Sequence, residues 1–174
     1  MANREAIREL QARLAQRLQA ARTEGRSVQW LAVEARGERY LFPLAQAGEI
    51  FGWPALQPTP YTHTWFLGVA NLRGGLCGVV DLAAFLSGVP TPADADRADS
   101  SLLTFNHTLE INCALVIDRL AGLRGPEAFS AAMPPAPEAP AYFGPSRTDA
   151  DGLAWREIDL LALSQSPVFL SINA

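Results

Sequence analysis

Gly68-Val69-Ala70-Asn71-Leu72-Arg73-Gly74-Gly75-Leu76-Cys77-Gly78-Val79-Val80-Asp81-Leu82 is the stretch on which the fold turns. Two strongly apolar runs, Trp65–Leu72 and Leu76–Leu82, flank Arg73-Gly74-Gly75. Glycine supplies the positive φ of a tight reversal, so the stretch reads as a hairpin of two strands. Ala83–Leu86 is then at most one helical turn, closed by Ser87-Gly88. Asp81 stands where that turn begins, and its ordinary role there is an N-cap accepting backbone N–H bonds.

Upstream the same grammar recurs. Val28–Ala35 and Arg39–Leu44 are β-rich and joined by Arg36-Gly37-Glu38, a first hairpin. Ala45–Phe51 reads as a brief helix stopped at Gly52, and Pro58 with Pro60 restrict Leu56–Tyr61 to an edge strand or extended loop. At the start, Ile7, Leu10, Leu14, Leu18 and Ala21 recur at helical spacing among Arg and Glu side chains, so residues 3–24 read as one amphipathic helix ended by Gly25. Its stripe either packs on its own domain or is offered to a partner. It has no Trp or Phe to anchor it in a membrane interface.

Downstream, residues 89–100 form a polar, Pro-broken linker. Strands follow at Ser101–Asn106 and Glu110–Asp118, with 119–125 continuing or following the second. Residues 126–148 are Pro-rich and read as irregular. Asp151-Gly152 is a turn, Leu153–Ile158 a strand and Asp159–Leu163 a short closing helix. Short strands with Gly/Pro turns favour small barrels over a parallel sheet. The reading is a mainly β chain of two small barrels: helix 1–25, then a domain over 26–170, with subdomain one at about 26–88 and subdomain two at about 101–170.

Composition bounds the function. The 174 residues are 49% hydrophobic, which excludes general disorder, and 13 Pro with 13 Gly leave little room for long helices. All 14 basic residues are Arg, against 18 acidic ones, a net charge of −4. Nucleic-acid binding needs clustered positive charge that this chain lacks. The N-terminus has no apolar signal-peptide core and no run is long enough to span a bilayer, so the expectation is a cytoplasmic protein without membrane insertion. Cys77 and Cys113 lie in apolar runs without metal-ligand spacing. Two isolated His and two isolated Cys build no metal site, and no phosphate-binding glycine motif occurs, so no cofactor is expected. Cys77 with His63 is the one conceivable nucleophile–base pair, and no third group stands out to orient the base. Tyr61, Trp53, Trp65 and Phe66 crowd among prolines, equally suited to an interface or a barrel core.

The quoted stretch also resembles the signature of the CheW family, the coupling proteins of bacterial chemosensory arrays, in which a G-[VI]-x-N-[LV]-R-G strand and turn leads into an apolar strand ending in D-L. Tyr40-Leu41-Phe42-Pro43-Leu44 with Gly48-Glu49-Ile50, and Ala114–Leu120, resemble two further segments of that family. Trp65–Asn71 and the N-terminal helix look like its pilus-type, PilI-like members. Cys113-Ala114, where many relatives carry Gly, and the Pro/Ala-rich 126–150 depart from the pattern. The resemblance implies two SH3-like five-stranded barrels sharing a core, and a non-catalytic adaptor that holds a chemoreceptor's cytoplasmic tip and the regulatory domain of a CheA-type histidine kinase at polar, membrane-bound arrays. It implies a Glu49–Arg73 ion pair on the receptor side, with Asn71 and Leu72 beside it, and Trp53 and Leu56 on the kinase side. The array is expected to be the one driving type IV pilus twitching motility. A flagellar chemotaxis array and, more distantly, a Cys-dependent enzyme are the alternatives.

Overall fold

The computed structural model describes residues 8–17 and 29–174. Residues 8–17 are helical (α1), with Leu14 packed against the largest core cluster and Leu10 58% exposed. Ile7, Leu18 and Ala21 of the expected stripe lie outside the described residues.

Two hairpins set the frame. Strands β1 (Trp30–Ala35) and β2 (Glu38–Pro43) turn at Arg36-Gly37, and β4 (Phe66–Leu72) and β5 (Gly75–Val80) turn at Arg73-Gly74. Both pairs of turn residues have positive φ, 50° and 78° in the first and 50° and 80° in the second. That is the type I′ geometry whose twist matches the strands. Between the hairpins, Ala47–Gly52 is a strand, β3, and the expectation of a helix over Ala45–Phe51 is corrected. Its register shifts between Ala47 and Ile50, and this bulge breaks the alternation by which a strand is recognised. Gly48 is required there, because a Cβ would meet the Phe105 carbonyl and the Thr104 hydroxyl at 2.5 Å.

After helix α2 (Leu82–Ser87) come β6 (Ser101–Phe105), β7 (Cys113–Ile117) and β8 (Arg119–Arg124). The stretch 126–148 is more regular than its prolines suggested: it contains β9 (Phe129–Met133) and most of β10 (Phe143–Asp149). The prolines fall where a missing N–H is harmless. Pro126 starts a 3₁₀ turn, Pro134, Pro135, Pro137 and Pro140 lie between the strands, and Pro145 sits in an irregularity of the β10–β11 pairing. Strand β11 (Ala154–Ile158) and helices α3 (Leu160–Ser164) and α4 (Pro167–Leu170) close the chain.

The strands form a six-stranded sheet, β8-β1-β2-β11-β10-β9, and a five-stranded sheet, β3-β6-β7-β5-β4. Each draws strands from both sides of residues 89–100. Alternation along single strands sorts the core. Leu31 and Val33 of β1 join Leu115 and Ile117 of β7 in the large cluster between the sheets. Trp30 and Ala32 enter a small cluster with Leu41 and Trp155 inside the first sheet. Ala114 and Val116 enter another with Ala70, Cys77 and Val79 inside the second. With both faces buried, β7 is apolar at every position. The fold is therefore mainly β, as expected, with each sheet wrapped on its own small core and both sharing a third.

The second sheet closes where the chain beyond β3 returns along β4. Gln57 and Val69 exchange backbone hydrogen bonds of 2.8 and 2.9 Å. Gly68 makes that approach possible, having φ +129° and no Cβ to strike the Gln57 carbonyl.

Candidate functional site

The closing edge of the five-stranded sheet carries the residues that the sequence singled out. Arg73 is held on the surface by its type I′ turn, which Asn71 caps by accepting the Gly74 N–H at 2.8 Å. Its guanidinium meets Glu49 of β3 at 2.7 Å and lies 5.6 Å from the centre of the Phe51 ring. The pair spans β3 and the β4–β5 turn, the two ends of the sheet. Its side chains remain 73% and 55% exposed, so it contributes at most ~1 kcal/mol to stability. A groove of about 230 Å³ runs alongside, walled by Leu72, Leu76, His107 and Ile111, with Cys77 and Cys113 below. Leu76 is 70% exposed.

The backbone cost of Arg73 is informative. A non-glycine residue at positive φ carries ~1 kcal/mol or more of strain, and Asn or Gly would adopt the turn more easily. At Arg36, in the matching turn, the residue is engaged within the chain: its N–H donates to Asp118 at 2.6 Å and its guanidinium to the Val89 carbonyl at 2.8 Å. Arg73 makes only the exposed pair and the ring contact among the described residues, which barely offset the strain.

A second group surrounds Trp53. This ring and Leu56 are half-buried against the small core of the second sheet. The Arg97 guanidinium lies 5.3 Å from the Trp53 ring centre and donates to Asp81 at 2.8 Å. Asp81 is the N-cap of α2, accepting the Ala84 N–H at 3.0 Å, and it also accepts the Thr91 hydroxyl. Burial alone would raise its pKa, but the hydrogen bonds from Thr91, Arg97 and Ala84 outweigh it and hold the carboxyl below its ordinary value. Residues 89–100, expected as a plain linker, are thus pinned to α2 through Thr91 and Arg97.

The structure does not bring Cys77 and His63 together as a dyad. His63 stacks on Trp65, 5.3 Å between ring centres, while Cys77 is buried inside the second sheet. Desolvation pushes the Cys77 thiol up to about 11, and Cys113 higher still, so neither is a ready thiolate. Trp65 and Phe66 pack on the large core, whereas Tyr61 is 89% exposed.

The CheW-like domain family matches residues 29–167, and that match covers both sheets. The chain belongs to this family. It is 30% identical to Protein PilI of Pseudomonas aeruginosa over 125 residues, 71% of this chain and 68% of that protein. The crystal structure of the scaffolding protein TtCheW from Thermoanaerobacter tengcongensis superposes with a TM-score of 0.59 at 17% identity, covering 78% of this chain and 92% of that one, and so shares the fold.

Within this CheW-like frame Glu49, Asn71, Leu72 and Arg73 gather at one edge, and Trp53 and Leu56 further along the same closing edge. Leu76, Ile111 and His107 were missed as neighbours of the first group, because they come from β5 and the loop before β7 and only the sheet order brings them there. Arg97 was missed beside Trp53. It is the lone cation of residues 89–100, and a single Arg amid Asp residues gives no sequence sign of which carboxylate it meets.

Proposed function

We propose that this CheW-like chain is a non-catalytic adaptor that holds a chemoreceptor's cytoplasmic tip and the regulatory domain of a CheA-type histidine kinase together, in the chemosensory array controlling type IV pilus twitching motility. The observation carrying the reading is Arg73, kept at a strained turn and aimed outward beside an apolar groove in a chain of this family. Glu49, Asn71, Leu72 and Arg73 form the receptor side, and Trp53 with Leu56 the kinase side. The likeness to PilI favours the pilus array over a flagellar one. Among the described residues no helix is long and apolar enough to cross a membrane. In this reading the adaptor works at the cytoplasmic face of polar receptor arrays by docking to receptors that span the membrane. Its contribution to kinase control is geometric: two faces on one rigid body bias the kinase through contacts that differ between its on and off states.

The test is Arg73→Asn in the full chain, assayed by co-sedimentation with receptor-containing membranes and by gel filtration with the kinase regulatory domain. Asn suits the turn, so stability is expected to hold within about 0.5 kcal/mol or rise. Receptor binding is expected to fall about tenfold or more, with kinase binding unchanged. Unchanged receptor binding, or loss of both partners together, refutes the assignment of the face.

A further inference from the structure

Trp53 is placed by side chains more than by its own backbone. The pairing of β3 ends at Gly52, opposite Ser101 of β6, and pairing resumes only at Gln57, opposite Val69. The ring stands in the gap, half-buried on the small core of the second sheet, with the Arg97 guanidinium 5.3 Å from its centre. Sheet register explains the meeting: because Gly52 pairs with Ser101, the chain leaving β3 and the chain entering β6 run side by side. Arg97 is itself held at two points. Its carbonyl accepts the Ser100 N–H at 3.0 Å, immediately before β6, and its guanidinium donates to Asp81 at 2.8 Å. Asp81 is only 3% exposed and is fixed in turn, its N–H donating to the Trp65 carbonyl at 2.8 Å and its carboxylate accepting the Ala84 N–H. Asp94, Asp96 and Asp99 are exposed and much nearer along the chain, yet the guanidinium reaches past them to this buried carboxylate.

We propose that Arg97 is a positioning residue of the kinase face: it holds the Trp53 ring in the orientation that the kinase domain meets, and residues 89–100 are fastened to Asp81 so as to deliver it. The inference rests on the assignment of Trp53 to the kinase side. A ring already fixed in its bound orientation has little rotamer freedom left to lose on association, so the gain from burying it is kept as affinity. Tryptophan and arginine are also the side chains that most often carry interface energy. Lysine cannot copy the arrangement. Its ammonium can meet Asp81 as a point charge, but only a planar guanidinium can bond the carboxylate through its N–H edge and lie over the indole at the same time.

The test labels the full chain with fluorotryptophan and follows its four tryptophans by fluorine NMR, with Trp53→Phe identifying the resonance of interest. Arg97→Met and Arg97→Lys are each expected to shift or broaden the Trp53 signal. Trp30 and Trp155, which lie against Arg147 and Arg124 in the other sheet, are expected to stay in place. In calorimetric titrations with the kinase regulatory domain, Arg97→Met should weaken binding about tenfold, and Trp53→Ala by at least as much. Arg97→Lys keeps a cation for Asp81, so it should restore thermal stability without restoring binding, and it serves where the Met variant folds poorly. Adding Arg97→Met to Trp53→Ala should cost nothing further, because the arginine acts through the ring. An unmoved Trp53 signal, full recovery of binding by lysine, or additive losses in the double variant overturns the proposal and leaves the kinase face standing. Unchanged kinase binding by Trp53→Ala refutes the kinase-side assignment, and the proposal with it.

Discussion

Replacing Asp81 tests whether residues 89–100 are held by one carboxylate. Three interactions converge on it: the α2 cap through the Ala84 N–H, the Thr91 hydroxyl, and the Arg97 guanidinium with only 17% of its side chain exposed. Loss of an N-cap costs ~1 kcal/mol, a hydrogen bond to a charged group ~1.5–3, and a neutral one ~1. Asp81→Ala is therefore expected to destabilise by about 3–5 kcal/mol, the terms being coupled rather than strictly additive. At this chain length that lowers Tm by roughly 8–15 °C. Asp81→Asn keeps an oxygen for the Ala84 N–H and loses the charge, and should cost about 1–3 kcal/mol. The pH dependence separates charge from shape. The folded carboxyl titrates below its ordinary 3.8, so its stabilisation is fully present above that value and is lost as the pH falls through the lower folded value. The gap between wild type and Asp81→Asn, measured by urea unfolding at stepped pH, should be constant from neutrality to about pH 5 and close only in the acid range below 4. Because Arg97 also covers Trp53, the same variants should alter tryptophan emission before global unfolding. An Asp81→Ala chain within 1 kcal/mol of wild type, or pH profiles that run parallel into acid, would show that the segment is held by something else.

Two further outcomes follow from the second sheet. Gly68→Ala places a Cβ against the Gln57 carbonyl at a φ that L residues rarely adopt, and should cost about 2–4 kcal/mol in urea unfolding. Gly52→Ala, with open space around its Cβ, should change stability by less than about 0.5, and equal effects at the two sites would refute the account of closure. The Cys77 thiol, pushed up to about 11, is ionised in only about one molecule in a thousand at pH 8, so iodoacetamide should label it orders of magnitude more slowly than an unhindered cysteine. Labelling at the free-thiol rate would reopen the Cys77–His63 enzyme reading.

Most of the strands were legible because burial on both faces writes them as continuous apolar runs, as in Cys113–Ile117, and because Arg-Gly turns punctuate the hairpins. Two of the misread strands, β3 and β10, share one cause. The bulge at Gly48 and the irregularity beside Pro145 interrupt the alternation or the donor pattern that marks a strand, while the pairing across them persists. The site was legible in part. Glu49 and Arg73 are 24 positions apart, and no spacing rule joins them: it is the family signature that pairs them and the curl of the sheet that brings them within 2.7 Å. Arg97 beside Trp53 depends on long-range packing that no local pattern encodes.

The two proposed faces are linked by a short piece of backbone. Glu49 and Trp53 are four residues apart along β3 and its continuation, about 13 Å at the strand repeat. β3 is hydrogen-bonded to β6 on one side, and its extension is pinned to β4 through Gln57 on the other. The two faces therefore sit on one stretch of backbone anchored at each end, by β6 before Trp53 and by β4 after Leu56. Such a body transmits position rather than shape. Its control over a bound kinase would come from where it places the kinase relative to the receptor.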